Sequence, residues 1–124
     1  MENMNLTQYI FDHVMNVYGI APEEPWGTGN GYVLRHAKGK WFAGLFRVKP
    51  QWLHQFSVST EPIPVINVKV GPLLGAEYRA MPGIFPAWHM NKNHWVTALL
   101  NGDVEKGLLH ELIEVSYGQV GRHR

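Results

Sequence analysis

The richest set of side chains capable of chemistry lies in one short segment, residues 89–95, with the sequence HMNKNHW. His89, Asn91, Lys92 and His94 can all donate hydrogen bonds, and Trp95 adds a flat aromatic face. Cationic and aromatic groups interleaved in this way suit phosphates and stacked bases, so the segment is a candidate nucleic-acid or anion-binding site. The structural alternative is that Trp95 fills core while Asn91 and His94 satisfy backbone groups at a turn.

Basic residues elsewhere extend this candidate site. Lys69 falls on the polar side of a predicted strand, and Arg35, Lys38 and Lys40 belong to a predicted hairpin. Residues 25–60 hold five basic residues and no acidic one, whereas the last predicted helix carries glutamates. Charge is therefore segregated along the chain, which indicates either a functional patch or lysines that guard an edge strand.

A metal site is disfavoured by the spacing of the histidines. His89 and His94 are five residues apart, which fits no regular element that would bring two imidazoles together. His110 could be added as a third ligand, but no carboxylate lies near enough in the sequence to complete the set. We therefore expect no metal.

Catalytic motifs are also missing. Ser57, Ser59 and Ser116 are not in a GxSxG context, and the sequence after His110-Glu111 does not complete an HExxH motif. The glycine-rich GTGNG stretch, residues 27–31, has no strand before it and no helix after it, as a dinucleotide site would require. We expect a non-enzymatic protein without a cofactor.

Length and composition indicate one globular domain over residues 1–124. The chain has five Trp, five Phe and five Tyr, and 45% of its residues are hydrophobic, which suffices for a core. It has no cysteine, so disulfides and thiolate chemistry are excluded. The first residues resemble no signal peptide and no apolar run is long enough to span a bilayer, so we expect a cytoplasmic protein with no membrane partner.

Three helices are predicted around the candidate residues. Leu6, Ile10, Val14 and Val17 recur at helical spacing, which predicts a helix over 6–18 that ends at Gly19. Pro72 begins a short helix that reaches about residue 80, and a long amphipathic helix covers about 105–117.

Strands are predicted between these helices, over residues 32–37, 40–48, 65–70 and 94–100, with a Lys38-Gly39 turn in the first hairpin. In the second strand, alternation places Phe42, Phe46 and Val48 on one face. Residues 50–64 are predicted to be a loop, with a short strand at 56–60. The pattern predicts an α+β fold, in which both terminal helices pack on one face of an antiparallel sheet.

Motifs along the whole chain resemble the MmcQ/YjbR family of small bacterial proteins. The matching residues are Tyr18-Gly19, Pro22-Glu23, Trp26, Val33-Leu34-Arg35-His36, Lys40-Trp41-Phe42-Ala43, Asn67-Val68-Lys69, Pro72, Pro82-Gly83, Pro86-Ala87, His89-Met90-Asn91-Lys92, His94-Trp95, Asn101-Gly102 and Ser116-Tyr117. The resemblance implies a fold similar to the CyaY/frataxin class. It also implies the DNA-binding role attached to the family through its structural likeness to the double-wing domain of the phage transcription factor MotA.

Two departures narrow what the resemblance implies. Many relatives carry a Cys-Asp pair where this chain has Val70-Gly71, so any role of that thiol or carboxylate is absent. The first helix also lacks the acidic surface of frataxins, with Asp12 as its central carboxylate, which argues against iron handling.

The leading hypothesis is a nucleic-acid-binding protein that contacts DNA. Lys69, His89, Asn91, Lys92 and His94 would make contacts beside Trp95, and Arg35, Lys38 and Lys40 would position the backbone. The alternative is a protein-interaction or small-ligand module, in which the 89–95 segment binds a phosphate-bearing metabolite or an acidic protein segment. A compact pocket would favour the small ligand, and an open basic surface would favour DNA.

Overall fold

The structure is a computed structural model that describes residues 5–27, 29, 31–37, 39–53 and 61–121. Its helices and strands follow the predicted order. They are α1 (Leu6–Tyr18), β1 (Gly31–Arg35), β2 (Trp41–Val48), a 3-10 turn (Pro50–Leu53), β3 (Ile63–Lys69), α2 (Pro72–Arg79), β4 (Ile84–Pro86), β5 (Trp95–Leu99) and α3 (Lys106–Gly121).

The strands form one antiparallel sheet in the order β1-β2-β3-β5-β4. Its main core lies between one face of the sheet and the helices, where Ile10 and Val14 of α1 and Leu112 of α3 join Ile66 and Val96 of the sheet. Burial of this apolar surface is the dominant stabilising contribution. The predicted α+β fold is confirmed, and we call the opposite side of the sheet the open face.

The bounds of α1 follow from its capping residues. The Asn5 side chain accepts a hydrogen bond from the Gln8 amide at the N-terminus, and Gly19 adopts a left-handed conformation (φ 70°) at the C-terminus. Both satisfy backbone groups that the helix leaves unpaired.

A bulge in β2 corrects the predicted pattern of side-chain directions. Leu34 pairs with Ala43, but Arg35 pairs with Trp41, so Phe42 is an extra residue in β2. The bulge turns Phe42 into the main core with Leu45, while Phe46 and Val48 pack in a smaller cluster with Val65 and Leu99. The prediction that Phe42 shares a face with Phe46 and Val48 was wrong, because simple alternation does not hold through a bulge.

Ser116 of α3 closes the gap where β2 and β3 stop pairing. Its buried hydroxyl accepts a hydrogen bond from the Lys69 amide (2.8 Å) and donates one to the Phe42 carbonyl. One side chain thus satisfies two strand ends and fixes the helix to the sheet.

The other differences concern short elements. β4 was not predicted, because its three residues include Pro86 and show no period. The 3-10 turn of Pro50–Leu53 was likewise missed, and α3 extends four residues beyond Tyr117. The strand predicted at 56–60 and the turn residue Lys38 lie outside the described residues.

Aromatic and histidine rings join α1 to α3, which run parallel. His13 stacks on His110 with ring centroids 3.9 Å apart, and Tyr18 stacks on Tyr117 at 4.0 Å. Burial, and then the nearby His110, lower the pKa of His13. Burial, assisted by a hydrogen bond to Glu111, raises the pKa of Tyr78 on α2.

We predict that Ser116→Ala destabilises the fold by about 1–3 kcal/mol, because it leaves two buried backbone groups without a partner. Urea unfolding followed by tryptophan fluorescence measures this change. Gly118→Ala is the control in the same helix, since nothing lies within 4 Å of the added Cβ, and it should stabilise the protein slightly. A loss for Ser116→Ala no larger than that of an exposed substitution would contradict the bridging role.

We also predict that the free energy of unfolding falls as the pH drops from 8 to 5. A histidine with a lowered pKa binds fewer protons in the folded than in the unfolded state, so stability rises with pH around the ordinary histidine pKa of about 6.5. His13→Gln should reduce this pH dependence, because it removes the imidazole whose pKa is lowered in the folded state. If the free energy of unfolding changes equally with pH in the wild type and in His13→Gln, His13 is not the source of the pH dependence.

Candidate functional site: an aromatic strip on the open face

Five aromatic rings form a continuous row on the open face. From one side to the other they are Trp41, Trp26, Phe46, Trp88 and Trp52, and successive ring centroids lie 5.8, 5.9, 5.4 and 5.9 Å apart. We call this row the aromatic strip. It contains four of the five tryptophans of the chain.

Much of the aromatic strip is accessible. Trp26 is 51% exposed and Trp52 is 48% exposed, although tryptophan side chains are highly buried on average. A contiguous exposed apolar patch on a small protein commonly marks a binding surface. The strip is therefore the first candidate for a functional site.

Two glycines in neighbouring strands allow the rings to lie against the sheet. A Cβ on Gly44 would come within 2.6 Å of the Phe46 ring, and a Cβ on Gly31 would lie 3.1 Å from the Trp26 ring. Glycine inside a strand often marks such a close approach.

The rings surround two grooves. The first has a volume of about 470 Å³ between Trp26, Trp41, Phe46 and Trp88, with Asn67 and Arg47 among its lining residues. The Arg47 guanidinium donates to the Pro62 carbonyl. The second, of about 520 Å³, lies between Trp88 and Trp52 and is bordered by Lys92. His89 lines both grooves. These volumes are typical of small-molecule sites.

A ring of buried hydrogen bonds holds Trp88 in place. Asn67 and Thr97 are opposite each other on β3 and β5, and the Thr97 hydroxyl donates to the Asn67 carboxamide oxygen. The Trp88 amide donates to Thr97 (2.8 Å), and the Asn67 amide donates to the Trp88 carbonyl (2.9 Å). We call these three residues the Asn67 clamp, because it anchors both backbone polar groups of Trp88 to the sheet.

His89 continues from this clamp with an uncommon backbone. Its φ of 58° makes it the non-glycine residue with positive φ among those described, and its ring lies 4.2 Å from that of Trp88. Left-handed backbone in a non-glycine residue is uncommon and clusters at functional sites. The predicted site residue His89 thus lies beside the aromatic strip.

Several predicted cations lie together at one end of the sheet, where β1 and β3 end and β2 and β5 begin. Arg35 is the last residue of β1, Lys40 precedes β2, Lys69 ends β3 and His94 precedes β5. We call Lys40, Lys69, Lys92 and His94 the basic end. Arg35 lies there too, but its guanidinium is paired with Glu23 at 3.2 Å and donates to the Gly39 carbonyl. Lys38 lies outside the described residues.

The remaining residues of the 89–95 segment have structural contacts. The Asn91 side chain accepts from the Asn93 amide at a turn, and the His94 carbonyl accepts from the amides of Val70 and Gly71. Trp95 is only 9% exposed and pairs with Lys69 across the sheet. These contacts match the structural alternative for Asn91 and Trp95, while the Lys92 side chain is exposed and borders the second groove.

Sequence reasoning missed much of the aromatic strip. Trp26, Phe46, Trp52 and Asn67 come from separate segments, and only the topology of the sheet brings them together. Arg79 of α2 was missed as well, although its guanidinium donates to the Lys92 carbonyl beside the basic end. A usable signal was the concentration of tryptophan in a short chain.

A metal centre has no candidate among the residues that the structure describes. Those residues hold no group of three or more histidine, cysteine, aspartate or glutamate side chains that could bind a metal ion. Within the same ranges, no helix has the length and apolar character needed to cross a membrane.

The fold and the strip define a small α+β protein with helices on one face of an antiparallel sheet and an aromatic groove on the other. A family model described as YjbR matches residues 15–119. The chain belongs to the YjbR family, which confirms the family predicted from its motifs.

Known relatives agree with this assignment. The uncharacterized protein YyaQ of Bacillus subtilis (strain 168) is 33% identical over 110 residues, which cover 87% of this chain and 92% of YyaQ. A structural-genomics crystal structure from Pseudomonas syringae is 36% identical with a TM-score of 0.84, and covers 94% of this chain and 98% of its own. A Deinococcus radiodurans protein with a DUF419 domain, 24% identical with a TM-score of 0.64 over 90% of this chain and 78% of its own, shares the fold.

We predict that Thr97→Val and Asn67→Ala each destabilise the protein by about 1–3 kcal/mol, since each leaves buried polar groups of the Asn67 clamp unpaired. The two losses should not add, because both substitutions break one network. Urea unfolding of the single and double variants measures the coupling. Thr7→Val on α1 is the matched control and should change stability by less than about 0.5 kcal/mol. Additive losses would contradict a shared network.

Proposed function

We propose that this protein is a non-enzymatic nucleic-acid-binding protein. The observation that carries the proposal is the basic end, which lies beside an exposed aromatic strip on the same sheet. Lysines that neutralise phosphates supply most of the affinity in such proteins, while aromatic faces contact bases. The DNA-binding role implied by the family resemblance agrees with this proposal but does not carry it.

The spread of the basic end favours an extended anion. Lys40, Lys69 and His94 flank three neighbouring strands, β2, β3 and β5, and adjacent strands are about 4.8 Å apart. These three residues therefore lie along about 10 Å of the sheet rather than converging on one point. A single phosphate would bind more tightly to donors that converge on one point.

The opposite end of the sheet carries charges of both signs. Glu61 precedes β3, and Asp103 and Glu105 follow β5, but Arg47, Lys49 and Lys106 lie at the same end and offset these carboxylates. Attraction of a polyanion therefore depends on the lysines of the basic end, which add local positive charge.

The alternative function is the binding of a small anionic ligand or an acidic protein segment. The first groove favours the small ligand, because about 470 Å³ lined by aromatic rings, Asn67 and His89 would hold one aromatic molecule. On either view we place the protein in the cytoplasm, a proposal that its lack of cysteine supports.

We predict that Lys92→Ala weakens binding to labelled DNA of any sequence and lowers the slope of log affinity against log salt by about one unit. Lys69→Ala should act in the same direction, because each substitution removes one phosphate contact. Fluorescence anisotropy at two salt concentrations measures both quantities.

The matched control is Lys106→Ala, which removes the same charge from α3, where the ammonium lies 4.5 Å from the Tyr9 ring. It should leave the salt slope unchanged. If wild-type protein fails to bind DNA at tens of micromolar in low salt, the proposal is refuted. A slope that drops equally for all three lysine variants would show that net charge, rather than the basic end, controls binding.

A further inference from the structure

We infer that the nucleic acid bound by this protein is single-stranded, and that its unpaired bases stack on the aromatic strip. This inference rests on the proposed nucleic-acid function and adds the class of ligand and the role of the open face. It assigns base contact to Trp26, Trp88 and Trp52, none of which is in the basic end.

Stacking requires ring faces that both partners can reach. The bases of a duplex present only their edges in the grooves, whereas unpaired bases expose their faces. The strip offers rings to such faces, since Trp26 and Trp52 are each about half exposed. A duplex would leave these ring faces unused.

The strip is also equipped to form hydrogen bonds. The indole N–H groups of Trp26 and Trp52, whose side chains are about half exposed, can donate to a ligand on the strip. An indole N–H usually finds a partner when it is covered, so a ligand on the strip would be expected to accept these bonds. Base carbonyls, ring nitrogens and phosphates all provide acceptors.

Two lysines lie near the Trp52 end of the strip, which gives it charge complementarity to a strand. The Lys49 ammonium lies 5.7 Å from the Trp52 ring. Lys92 borders the second groove between Trp88 and Trp52. Aromatic rings with cations beside them are the arrangement that binds bases and backbone of single strands together.

Trp88, the fourth ring of the strip, is held in place before a ligand binds. The Asn67 clamp fixes the backbone of Trp88, and the Trp88 ring separates the two grooves. A strand that crosses Trp88 would therefore meet a ring whose position is already set. Such preorganisation lowers the entropic cost of binding.

The test compares three labelled ligands of about 16 nucleotides, the upper end of site sizes for single-strand-binding folds. They are a single strand, the duplex of the same sequence, and an abasic strand of the same length. We expect the single strand to bind at least about tenfold tighter than the other two, because base–aromatic stacking contributes about 1–3 kcal/mol per base. Tryptophan fluorescence should be quenched by the single strand alone.

Trp52→Leu should weaken single-strand binding by about 5- to 100-fold and leave abasic binding unchanged, whereas Trp52→Phe should retain most of the affinity. The control is Leu73→Ala, which removes an 84% exposed apolar side chain from α2 on the helical side. Circular dichroism verifies that each variant is folded.

The outcomes separate this inference from the function on which it rests. Equal, salt-dependent binding of all three ligands, with Trp52→Leu unchanged, would overturn base stacking and leave nucleic-acid binding intact. Absence of binding to every ligand would overturn both. A mononucleotide is the fourth ligand to titrate. If it binds and no strand does, both proposals are overturned and the small-ligand alternative is supported.

Discussion

The open face depends on one arrangement of buried polar groups, the pairing of Asn67 with Thr97. Asn67 is only 1% exposed. A buried carboxamide without hydrogen-bond partners would lower the free energy of unfolding by up to several kcal/mol. The backbone of Trp88 supplies the missing partners and is thereby drawn across the sheet. The polar pair therefore determines where the segment after β4 runs, and with it the positions of Trp88 and His89.

The two faces of the sheet are built for different purposes. On the helical face, long aliphatic side chains fill a closed core, and Ser116 satisfies the strand ends that the bulge at Phe42 leaves open. On the open face, glycines at positions 31 and 44 remove side chains so that rings can lie on the backbone. Exposed aromatic surface of this kind stabilises a fold less than buried surface does, so its presence favours a binding role.

Periodicity predicted the long elements correctly because α1, β3 and α3 each bury one face, and burial imposes a period on the sequence. It did not predict β4, because the three residues of that strand are too short to show a period. Within the candidate site, the sequence pointed to His89 and Lys92 because they lie in one short polar segment. Trp26, Trp52 and Asn67 were not, since their proximity depends on the strand order β1-β2-β3-β5-β4.

The relative positions of the basic end and the aromatic strip restrict which chemical class of ligand can contact both. Cations alone would accept any polyanion, and rings alone would accept many planar or apolar groups. The sheet places the cations along the ends of its strands and the rings across its open face, so a single ligand that uses both must carry charge along its length and flat groups at its side. A single-stranded nucleic acid has that construction, whereas an acidic peptide lacks the regularly placed rings and a duplex hides them.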